Sequence, residues 1–470
     1  MSIWVPDLQN RSGPRYLAIA DALAADVAEG RVQPGTRLPP QRDLAWQLKV
    51  TVGTIARAYA EASRRGLVSG EVGRGTYVLN PKENRDGLTI LHQALAEIHM
   101  RPVDETNFID MSINRPTGGN GSVLIADAMR KLADSPELIR LLGYRIDSPW
   151  PRHAAAAARW LAQDGIIVPP ERTLLTVGGQ QAIVAVMAGL TRPGDVILTE
   201  ELTYPGIKRT AALIDRAIEG VEMDAEGMRA DALDAALAKY PGAVIYCMPT
   251  LQNPTAITMP ADRRAAVIEV VRRHRATLVE DGIYAFLNEH APAPLWSMAP
   301  EHCVYITSLS KALSPGLRIG FVVAPEAAKP KIAATIAATT MMVPALLAEI
   351  AAMLIEDGSA MRATVEQRVH AATRMALARD VLGAQHCPPT PSDNLWLQLP
   401  APWRADSFSA EASRRGVLVT SAAAFAAGPR TPKAVRVSIS APRDLDQLRM
   451  GLEIIADVMR DSPDRLTLTV

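Results

Sequence analysis

The first eighty residues alternate between apolar and polar positions with the spacing of short helices. One face of a helix ending near Gly30 is marked by apolar residues at Tyr16, Ile19, Ala20, Leu23 and Val27. Gln41–Leu48 predicts a second short helix, and Thr51 is a typical N-cap for a third, which Gly66 ends. Leu67-Val68 and Thr76–Leu79 flank a glycine-rich turn and predict a hairpin. Three helices and a hairpin predict a winged helix-turn-helix domain over residues 12–80.

From Phe108 onward, short apolar strands alternate with helices such as Gln180–Leu190 and Ala261–Arg275. The predicted strands are Leu174–Val177, Val196–Thr199, Ala243–Met248, Thr277–Glu280, Val304–Ile306 and Ile319–Val323. This alternation predicts an α/β large domain with a largely parallel sheet over about residues 115–355. After Met361 the pattern changes to a smaller mixed α+β domain, about residues 360–470. Polar residues 81–107, with a helical stretch at Leu88–Met100, predict a linker between the winged helix and residues 108–470.

The amino-acid composition indicates the class of protein but does not indicate a binding partner. The 470 residues are 48% hydrophobic and 21% charged, and 50 Lys plus Arg balance 50 Asp plus Glu. Residues 1–80 carry ten basic and seven acidic side chains, a net charge of +3 that gives weak support for a nucleic-acid surface. Cys247, Cys303 and Cys387 lack metal-ligand spacing, so we expect no metal site and a reduced, cytoplasmic setting. Neither a signal peptide nor a membrane span is expected.

Residues 15–79 resemble the GntR-type winged helix. The resemblance rests on Pro34-Gly35, Leu38-Pro39, Arg42, Leu44-Ala45, Val50-Thr51, Thr54, Ala58-Tyr59, Gly66-Leu67 and Gly73-Arg74-Gly75-Thr76. It implies that the segment binds double-stranded operator DNA. One departure is Pro40-Gln41, where that family usually carries Ser-Glu, which weakens the cap of the second helix.

Five residues of this segment are candidates for DNA contacts. Thr51 and Thr54 begin the recognition helix, and Arg57 lies one turn further on, long enough for a bidentate contact to guanine. Arg42 is placed for the phosphate backbone, and Arg74 at the wing tip for the minor groove or phosphates. The alternative is that these are surface residues of a helical module that binds another protein.

Ser308-Leu309-Ser310-Lys311, followed by Arg318 and Gly320, suits a pyridoxal phosphate anchor. A lysine amine forms a Schiff base with the cofactor, while hydroxyl and guanidinium groups hold its phosphate. Residues 108–460 resemble the class I, fold type I aminotransferases. Together with the GntR-like segment, the chain resembles the MocR subfamily of pyridoxal phosphate-dependent regulators. The resemblance implies that Lys311 is the Schiff-base lysine, that Ser308 and Arg318 bind phosphate, and that Ser310 shares that role.

Three further candidates follow predicted strands. Asn253 comes after Ala243–Met248, where its amide can donate to the 3′ oxygen of the cofactor. Asp281 follows Thr277–Glu280, where a carboxylate favours a protonated pyridine nitrogen. Tyr284 can donate its phenol to the same oxygen as Asn253. Taken alone, Asp281 also fits the role of a loop cap.

The turn Gly178-Gly179-Gln180-Gln181 follows Leu174–Val177 and opens a helix, so the backbone N–H groups of Gly179 and Gln180 suit a phosphate. Tyr204, in Thr203-Tyr204-Pro205, resembles the aromatic residue that stacks on the pyridine ring. A plain tight turn and a core aromatic are the alternatives for these two stretches.

Two further residues are candidates for binding a ligand and for contacting a second subunit. Arg436 matches the family arginine that clamps a substrate α-carboxylate, the alternative being a surface arginine on a strand. Tyr144 resembles the tyrosine that reaches the phosphate of a neighbouring subunit, which implies a homodimer. The glycine that usually follows it by five residues is absent here. Lys208 and Arg209 follow Tyr204 closely enough to contact a second ligand group, but we expect them to face solvent.

Three functions fit these observations. The first is a DNA-binding transcription regulator that senses a small amino compound, or pyridoxal phosphate itself, through its aminotransferase-like domain. The second is a working aminotransferase of an amino acid with an accessory DNA-binding head. The third is a cofactor-free dimerisation scaffold, and the presence of Lys311, Asp281 and Arg318 argues against it.

Overall fold

A computed structural model describes residues 4–8, 14–28, 30–33, 35–64, 67–71, 75–78, 108–118, 120–144, 150–428 and 430–461. The chain divides into two units, Met1–Met100 and Arg101–Val470. The predicted linker 81–107 and its helix lie outside the described residues. Within the described ranges, no helix is both long and apolar enough to cross a membrane.

The first unit contains the predicted winged helix. Its elements are α1 (Arg15–Ala28), α2 (Gln41–Leu48), α3 (Val52–Arg64), β1 (Val68–Glu71) and β2 (Gly75–Val78). The two strands are antiparallel, with Val68 opposite Val78. Ile19, Leu44 and Ile55 bring the three helices into one buried core. Pro40 precedes α2 without a side-chain cap, as expected from the departure at that position.

The second unit is built from strands and helices in alternation. Its strands are β3 (Ile109–Asp110), β4 (Thr173–Thr176), β5 (Val196–Glu200), β6 (Ala217–Val221), β7 (Met223–Asp224), β8 (Gly227–Met228), β9 (Val244–Cys247), β10 (Thr277–Asp281), β11 (Cys303–Ser308), β12 (Gly320–Val323), β13 (Asn394–Gln398), β14 (Val417–Leu418), β15 (Thr420–Ser421) and β16 (Ala434–Ser438). Its helices are α4 (Gly121–Ala133), α5 (Leu138–Leu141), α6 (Pro151–Ala162), α7 (Gly178–Leu190), α8 (Pro205–Leu213), α9 (Ala230–Lys239), α10 (Ala261–His274), α11 (Leu295–Met298), α12 (Lys329–Thr340), α13 (Ala345–Glu356), α14 (Ser359–Leu382), α15 (Ala405–Arg414) and α16 (Leu445–Arg460).

The large domain is organised around a seven-stranded sheet in the order β4-β12-β11-β10-β9-β5-β6. Strand β12 is antiparallel to both of its neighbours, and the other pairs are parallel. The prediction of a largely parallel α/β sheet is therefore confirmed. The edge strand β6 was not predicted.

The small domain has a core of its own. Strands β13, β16 and β15 form a sheet, and β14 pairs with β3 from the beginning of the unit. Helix α14 belongs to both domains, because Ala363 packs in the core of the large domain and Met375 in that of the small domain. The boundary between the two domains therefore runs through one helix rather than through a loop.

Candidate functional site

The candidate cofactor residues converge on one edge of the large sheet. Asp281 ends β10, Ser308 ends β11, and Asn253 follows β9. The turn at Gly178 follows β4, which runs in the same direction as these strands. The carboxyl ends of these strands therefore bring together residues that are far apart in sequence, as is usual for ligand sites in open α/β sheets.

Gly178 and Arg318 form the tightest contact of this edge. Gly178 adopts a φ of +76°, and a Cβ there would lie 2.6 Å from Arg318 Nη2. Arg318 Nη2 donates to Val177 O at 3.1 Å, and its own φ is +50°. Position 178 therefore requires glycine. The sequence interpretation had instead singled out the next residue, Gly179. A Cβ on Gly179 would meet Ser308 Oγ at 3.7 Å, an ordinary contact.

The N-terminus of α7 faces this arginine and the hydroxyl groups of the lysine loop. The first N–H groups of a helix have no acceptor within it, and their dipoles favour an anion. Ser308 Oγ accepts from Ser310 N at 3.3 Å, so both serines of the motif lie in the same turn. The arrangement can bind a phosphate between a helix N-terminus, a guanidinium group and hydroxyl groups.

Lys311 lies three residues after β11 and is half-buried. Its Nζ donates to the main-chain oxygen of Asn114 at 2.5 Å. Burial lowers the pKa of the Lys311 amine, and the carboxylate of Asp393 opposes this effect. A lowered pKa increases the neutral fraction of the amine, which is the form that attacks an aldehyde.

Asp281 is buried, 5% exposed, and is held by two donors. Tyr246 OH donates to Asp281 Oδ2 at 2.6 Å, and Ile283 N donates to Oδ1 at 3.1 Å. Burial raises the pKa of Asp281 to about 6, while both hydrogen bonds lower it. A cationic partner would favour the ionised carboxylate further.

Tyr284 and Asn253 lie on the two sides of this carboxylate in sequence, and both are buried. Tyr284 OH accepts from Asn114 Nδ2 at 2.9 Å, so the phenol retains its own proton for another acceptor. Asn253 Oδ1 accepts from Arg436 Nη1 at 2.8 Å, so the Asn253 NH2 group remains the donor of that side chain.

Arg436 is buried on β16, 7% exposed, so it is not a surface arginine. It also donates to the main-chain oxygen of Ser112, and its guanidinium lies 4.9 Å from the ring centre of Phe425. Its Nε is buried with no hydrogen-bond partner among the described residues. Burial lowers the pKa of Arg436. An anionic ligand group would supply the missing acceptor.

Tyr204 packs against the first turn of α8. Its OH donates to Gln180 Oε1 at 3.3 Å, and Gln180 Nε2 donates to Gly206 O at 3.1 Å. The Gln180 side chain is therefore occupied by contacts to Tyr204 and α8, which leaves its backbone N–H as the group available to a phosphate. A Cβ on Gly206 would lie 2.0 Å from Tyr204 Cε1, so the ring position requires glycine there.

One predicted position is not buried with this cluster. Tyr144 is 82% exposed, and its ring meets solvent in the single chain. The expectation that Lys208 faces solvent is wrong, because its Nζ donates to Ala424 O at 3.0 Å. Arg209 is half-buried and lies near enough to Tyr204 to lower the pKa of that phenol, against the larger effect of burial.

The sequence interpretation missed the polar residues that connect the site. Asn114 Nδ2 donates to Asn394 Oδ1 at 2.9 Å, and Asn394 Nδ2 donates to Pro254 O at 2.7 Å. Asp393 lies beside Asn394 and is buried. The only sequence signal was a polar pair, Asp393-Asn394, directly before an apolar strand.

The recognition helix of the winged domain is capped by one of its candidate residues. Thr51 Oγ1 accepts from Thr54 N at 3.2 Å, and the two hydroxyl oxygens are 2.9 Å apart. Arg42 and Arg57 are exposed and point away from the core of the winged domain. Arg74 lies outside the described residues. Thr51 therefore has a structural role whether or not it touches DNA.

Within the described ranges, no group of three His, Cys, Asp or Glu side chains is placed to hold a metal ion. Cys247 and Cys303 are buried, and Cys387 is half-buried.

Comparison with known proteins gives two family matches. Residues 106–455 match aminotransferase class I and II, and residues 15–78 match the gntR family of bacterial regulatory proteins. The chain is 30% identical over 463 residues to the uncharacterized HTH-type transcriptional regulator YdeF of Bacillus subtilis, with 97% of each chain covered. It is 27% identical to the vitamin B6 salvage pathway transcriptional repressor PtsJ of Salmonella typhimurium, with 93% of this chain and 96% of PtsJ covered.

Solved structures share the fold of the second unit. An archaeal alanine:glyoxylate aminotransferase superposes with a TM-score of 0.70 at 24% identity, covering 86% of this chain and 99% of that one. The α-aminoadipate aminotransferase LysN of Thermus thermophilus, complexed with N-(5′-phosphopyridoxyl)-L-leucine, gives 0.69 at 23% identity, covering 80% and 98%. These likenesses establish the fold type I aminotransferase architecture.

Proposed function

Because the chain belongs to the GntR-type regulators that carry an aminotransferase class I and II domain, we propose that it regulates transcription through pyridoxal phosphate. In this proposal, a cytoplasmic homodimer binds operator DNA with its winged helices. The second unit holds the cofactor and responds to a small amino compound or to the cofactor itself. The name of PtsJ, a repressor of vitamin B6 salvage, supports the cofactor as one of the two candidates.

The observation that carries the proposal is the convergence of complementary groups on one sheet edge. The helix N-terminus at Gly178 beside Arg318, a lysine amine and a buried carboxylate lie together there. Three buried polar atoms of the region also lack partners among the described residues, namely Asn114 Oδ1, Thr203 Oγ1 and Arg436 Nε. Unpartnered buried polar atoms are energetically costly. A polar ligand bound at this edge would supply the missing hydrogen-bond partners.

Each of the candidate residues has one proposed role toward the cofactor. Pyridoxal phosphate supplies an aldehyde that amines attack and a ring that withdraws electrons. Lys311 provides the amine, and Asp281 holds a proton at the pyridine nitrogen. Asn253 and Tyr284 donate toward the 3′ oxygen. The backbone of Gly179 and Gln180 binds the phosphate together with Ser308, Ser310 and Arg318, and Tyr204 stacks on the ring.

Ligand sensing is assigned to Arg436. Its guanidinium lies on a small-domain strand and donates to Asn253 of the large domain, so a carboxylate bound there contacts both domains. A ligand that binds one arrangement of the domains better than another shifts the population toward it. That shift is what would alter DNA binding by the winged helices.

Tyr144 is proposed to complete the site of a second subunit. Its ring is exposed in the single chain, which is what a residue that reaches across a dimer interface requires. A dimer would also present two winged helices, which suits an operator with two half-sites.

The test combines cofactor and DNA in one preparation. Full-length protein mixed with pyridoxal phosphate should acquire a visible absorption band, and borohydride should fix the cofactor to Lys311 as read by peptide mass spectrometry. The same preparation should bind duplex DNA with sequence preference. Fixation at another lysine would contradict the assignment of the site, and loss of sequence preference would contradict the regulatory role.

A further inference from the structure

Asn114 contacts the candidate site directly, although it was not among the residues predicted from the sequence. Its main-chain oxygen accepts from Lys311 Nζ at 2.5 Å, and its side-chain Nδ2 donates to Tyr284 OH at 2.9 Å. Two residues earlier in the chain, the main-chain oxygen of Ser112 accepts from Arg436. Asn114 is buried, with 3% of its surface exposed. The residue therefore touches two groups that the proposed function assigns to the cofactor and lies next to the group assigned to the ligand.

A series of hydrogen bonds fixes the direction in which the Asn114 amide points. Asn394 Nδ2 donates to Pro254 O at 2.7 Å, and Asn394 Oδ1 accepts from Asn114 Nδ2 at 2.9 Å. Because a carbonyl oxygen has no proton to donate, reversing the Asn394 amide would place two acceptors together. Reversing the Asn114 amide would likewise set its oxygen against Asn394 Oδ1. The oxygen and nitrogen of the Asn114 side chain are therefore not interchangeable.

The side-chain oxygen of Asn114 has no hydrogen-bond partner among the described residues, and it is buried. It is bonded to the same carbon as Nδ2, so it lies in the same cluster as Tyr284 OH. A buried acceptor without a donor is energetically costly, which favours a bound group that supplies an N–H or O–H. Arg436 Nε is also unpartnered, but it is a donor and requires an acceptor. The two atoms therefore require two different groups of a ligand.

In the proposed function, neither the cofactor nor the ligand carboxylate supplies the donor for Asn114. Pyridoxal phosphate presents acceptors at its aldehyde, its 3′ oxygen and its phosphate, and its ring nitrogen is assigned to Asp281. A ligand carboxylate is an acceptor and is assigned to Arg436, and the α-amine of the ligand is the group that reacts with the cofactor. The part of an amino acid that remains for Asn114 is its side chain.

We propose that Asn114 is a specificity-determining residue, whose side-chain oxygen accepts a hydrogen bond from an O–H or N–H group on the side chain of the ligand. The ligand is then an amino acid with a polar side chain that carries a donor. This inference rests on the proposed function, because it takes the carboxylate and the α-amine to be bound as described there. It also favours an amino compound over the cofactor alone as the ligand that is sensed.

The test compares amino acids that differ only by a hydroxyl in place of a methyl group. Full-length, cofactor-loaded protein is titrated by calorimetry with L-serine against L-2-aminobutyrate, L-homoserine against L-norvaline, and L-5-hydroxynorvaline against L-norleucine. The three pairs place the hydroxyl at three distances from Cα. We expect the hydroxylated member of at least one pair to bind about tenfold more tightly, because a methyl group leaves the buried oxygen of Asn114 without a donor. Equal affinity within all three pairs would overturn the proposal.

Variants connect this preference with Asn114 itself. Asn114→Leu keeps a similar side-chain shape without the oxygen, so the preference for the hydroxylated amino acid should disappear. Asn288→Leu is the matched control, because that half-buried asparagine donates to Thr258 Oγ1 at 3.4 Å, and it should keep the preference. If Asn114→Leu does not fold, Asn114→Ala replaces it. A preference that persists in the folded Asn114 variant would also overturn the proposal, since another group would then bind the hydroxyl.

Failure of the proposed function would give a different result. A wild type that never acquires the visible band would contradict the proposed function. The same pairs are then titrated into the cofactor-free protein, because a hydrogen bond to Asn114 requires no bond to the cofactor. A preference that Asn114→Leu removes would still support the contact, and the absence of any preference would overturn it.

Discussion

In the proposed function, Lys311 and Arg436 contact different parts of a ligand, and they lie on different domains. Lys311 follows β11 of the large domain, whereas Arg436 lies within β16 of the small domain. Arg436 contacts Asn253 and Ser112, while Lys311 contacts Asn114. Because the two side chains share no direct contact among these hydrogen bonds, their losses are expected to separate.

Lys311→Ala should abolish the covalent link to the cofactor. The variant lacks the amine that forms the Schiff base, so it should show neither the visible band nor borohydride fixation. Lys331→Ala on the exposed face of α12 should behave as wild type. Stoichiometric fixation in Lys311→Ala would show that another lysine carries the cofactor.

Arg436→Ala should keep the visible band and lose the ligand. We expect amino-acid affinity to fall by about 2–5 kcal/mol, the range for truncating one partner of a buried charge pair. Arg443→Ala is the matched control, because that arginine is 79% exposed. Spectral titration with amino acids measures the change, and an unaltered response would place the carboxylate clamp elsewhere, with Arg209 as the next candidate.

The sequence alone could identify candidate residues that have a distinctive side-chain chemistry and lie close to the end of a predicted strand. Lys311, Asp281 and Arg318 are of this kind. Asn114 is different, because its partners Tyr284 and Asn394 lie 170 and 280 residues away. Such contacts exist only after the two domains have packed together, so spacing along the chain carries no signal for them.

At the scale of elements, helix α3 presents Arg57 on its exposed side while Ile55 and Tyr59 pack inward. Arg57→Ala should relax discrimination at one base position by about 1–3 kcal/mol. Arg15→Ala on the exposed surface of α1 provides the control. Binding of the variant to a set of single-base operator changes measures the effect, and a full-length variant with unchanged preferences would exclude Arg57 from base contacts.

The turn between β4 and α7 can be tested with a matched pair of glycines. Gly178 has a φ of +76° and would place a Cβ against Arg318, whereas Gly194 has a φ of +88° and nothing within 4 Å. Each Gly→Ala change should cost about 1–2 kcal/mol in unfolding free energy from its left-handed backbone. Gly178→Ala should in addition weaken cofactor binding, because Arg318 must move. Equal cofactor affinity in the two variants would contradict the assigned phosphate region.

Most elements could be predicted because apolar strands and amphipathic helices are recognised from the pattern of neighbouring residues. Strand β6 was not predicted, because Ala217–Val221 contains Glu219 and Gly220 and lies at a half-exposed edge of the sheet. The pairing of β3 with β14 joins residues about three hundred positions apart, so only the folded small domain defines it.

At the scale of the whole molecule, several carboxylates are buried in the second unit. Burial raises the pKa of Glu200 to about 8, of Asp164 and Glu280 to about 7, and of Asp281 to about 6. Between about pH 5 and 8 the folded state therefore binds more protons than the unfolded state, so stability falls as pH rises through this window. Urea unfolding of the cofactor-free protein should give lower stability at about pH 8 than at about pH 6. Glu200→Gln should reduce that difference, and a difference of opposite sign in wild type would contradict it.

In the proposed function, the first unit binds DNA and the second unit senses the ligand. A single measurement tests it most directly. Duplex DNA is selected from a random pool by the cofactor-loaded, full-length protein, and its affinity is then measured with and without common amino acids and pyridoxal phosphate. We predict that at least one compound changes the affinity of wild type, and that both Arg436→Ala and Lys311→Ala lose the response to amino acids. A wild type whose DNA affinity responds to none of these compounds, or variants that respond as wild type does, would contradict sensing through this site.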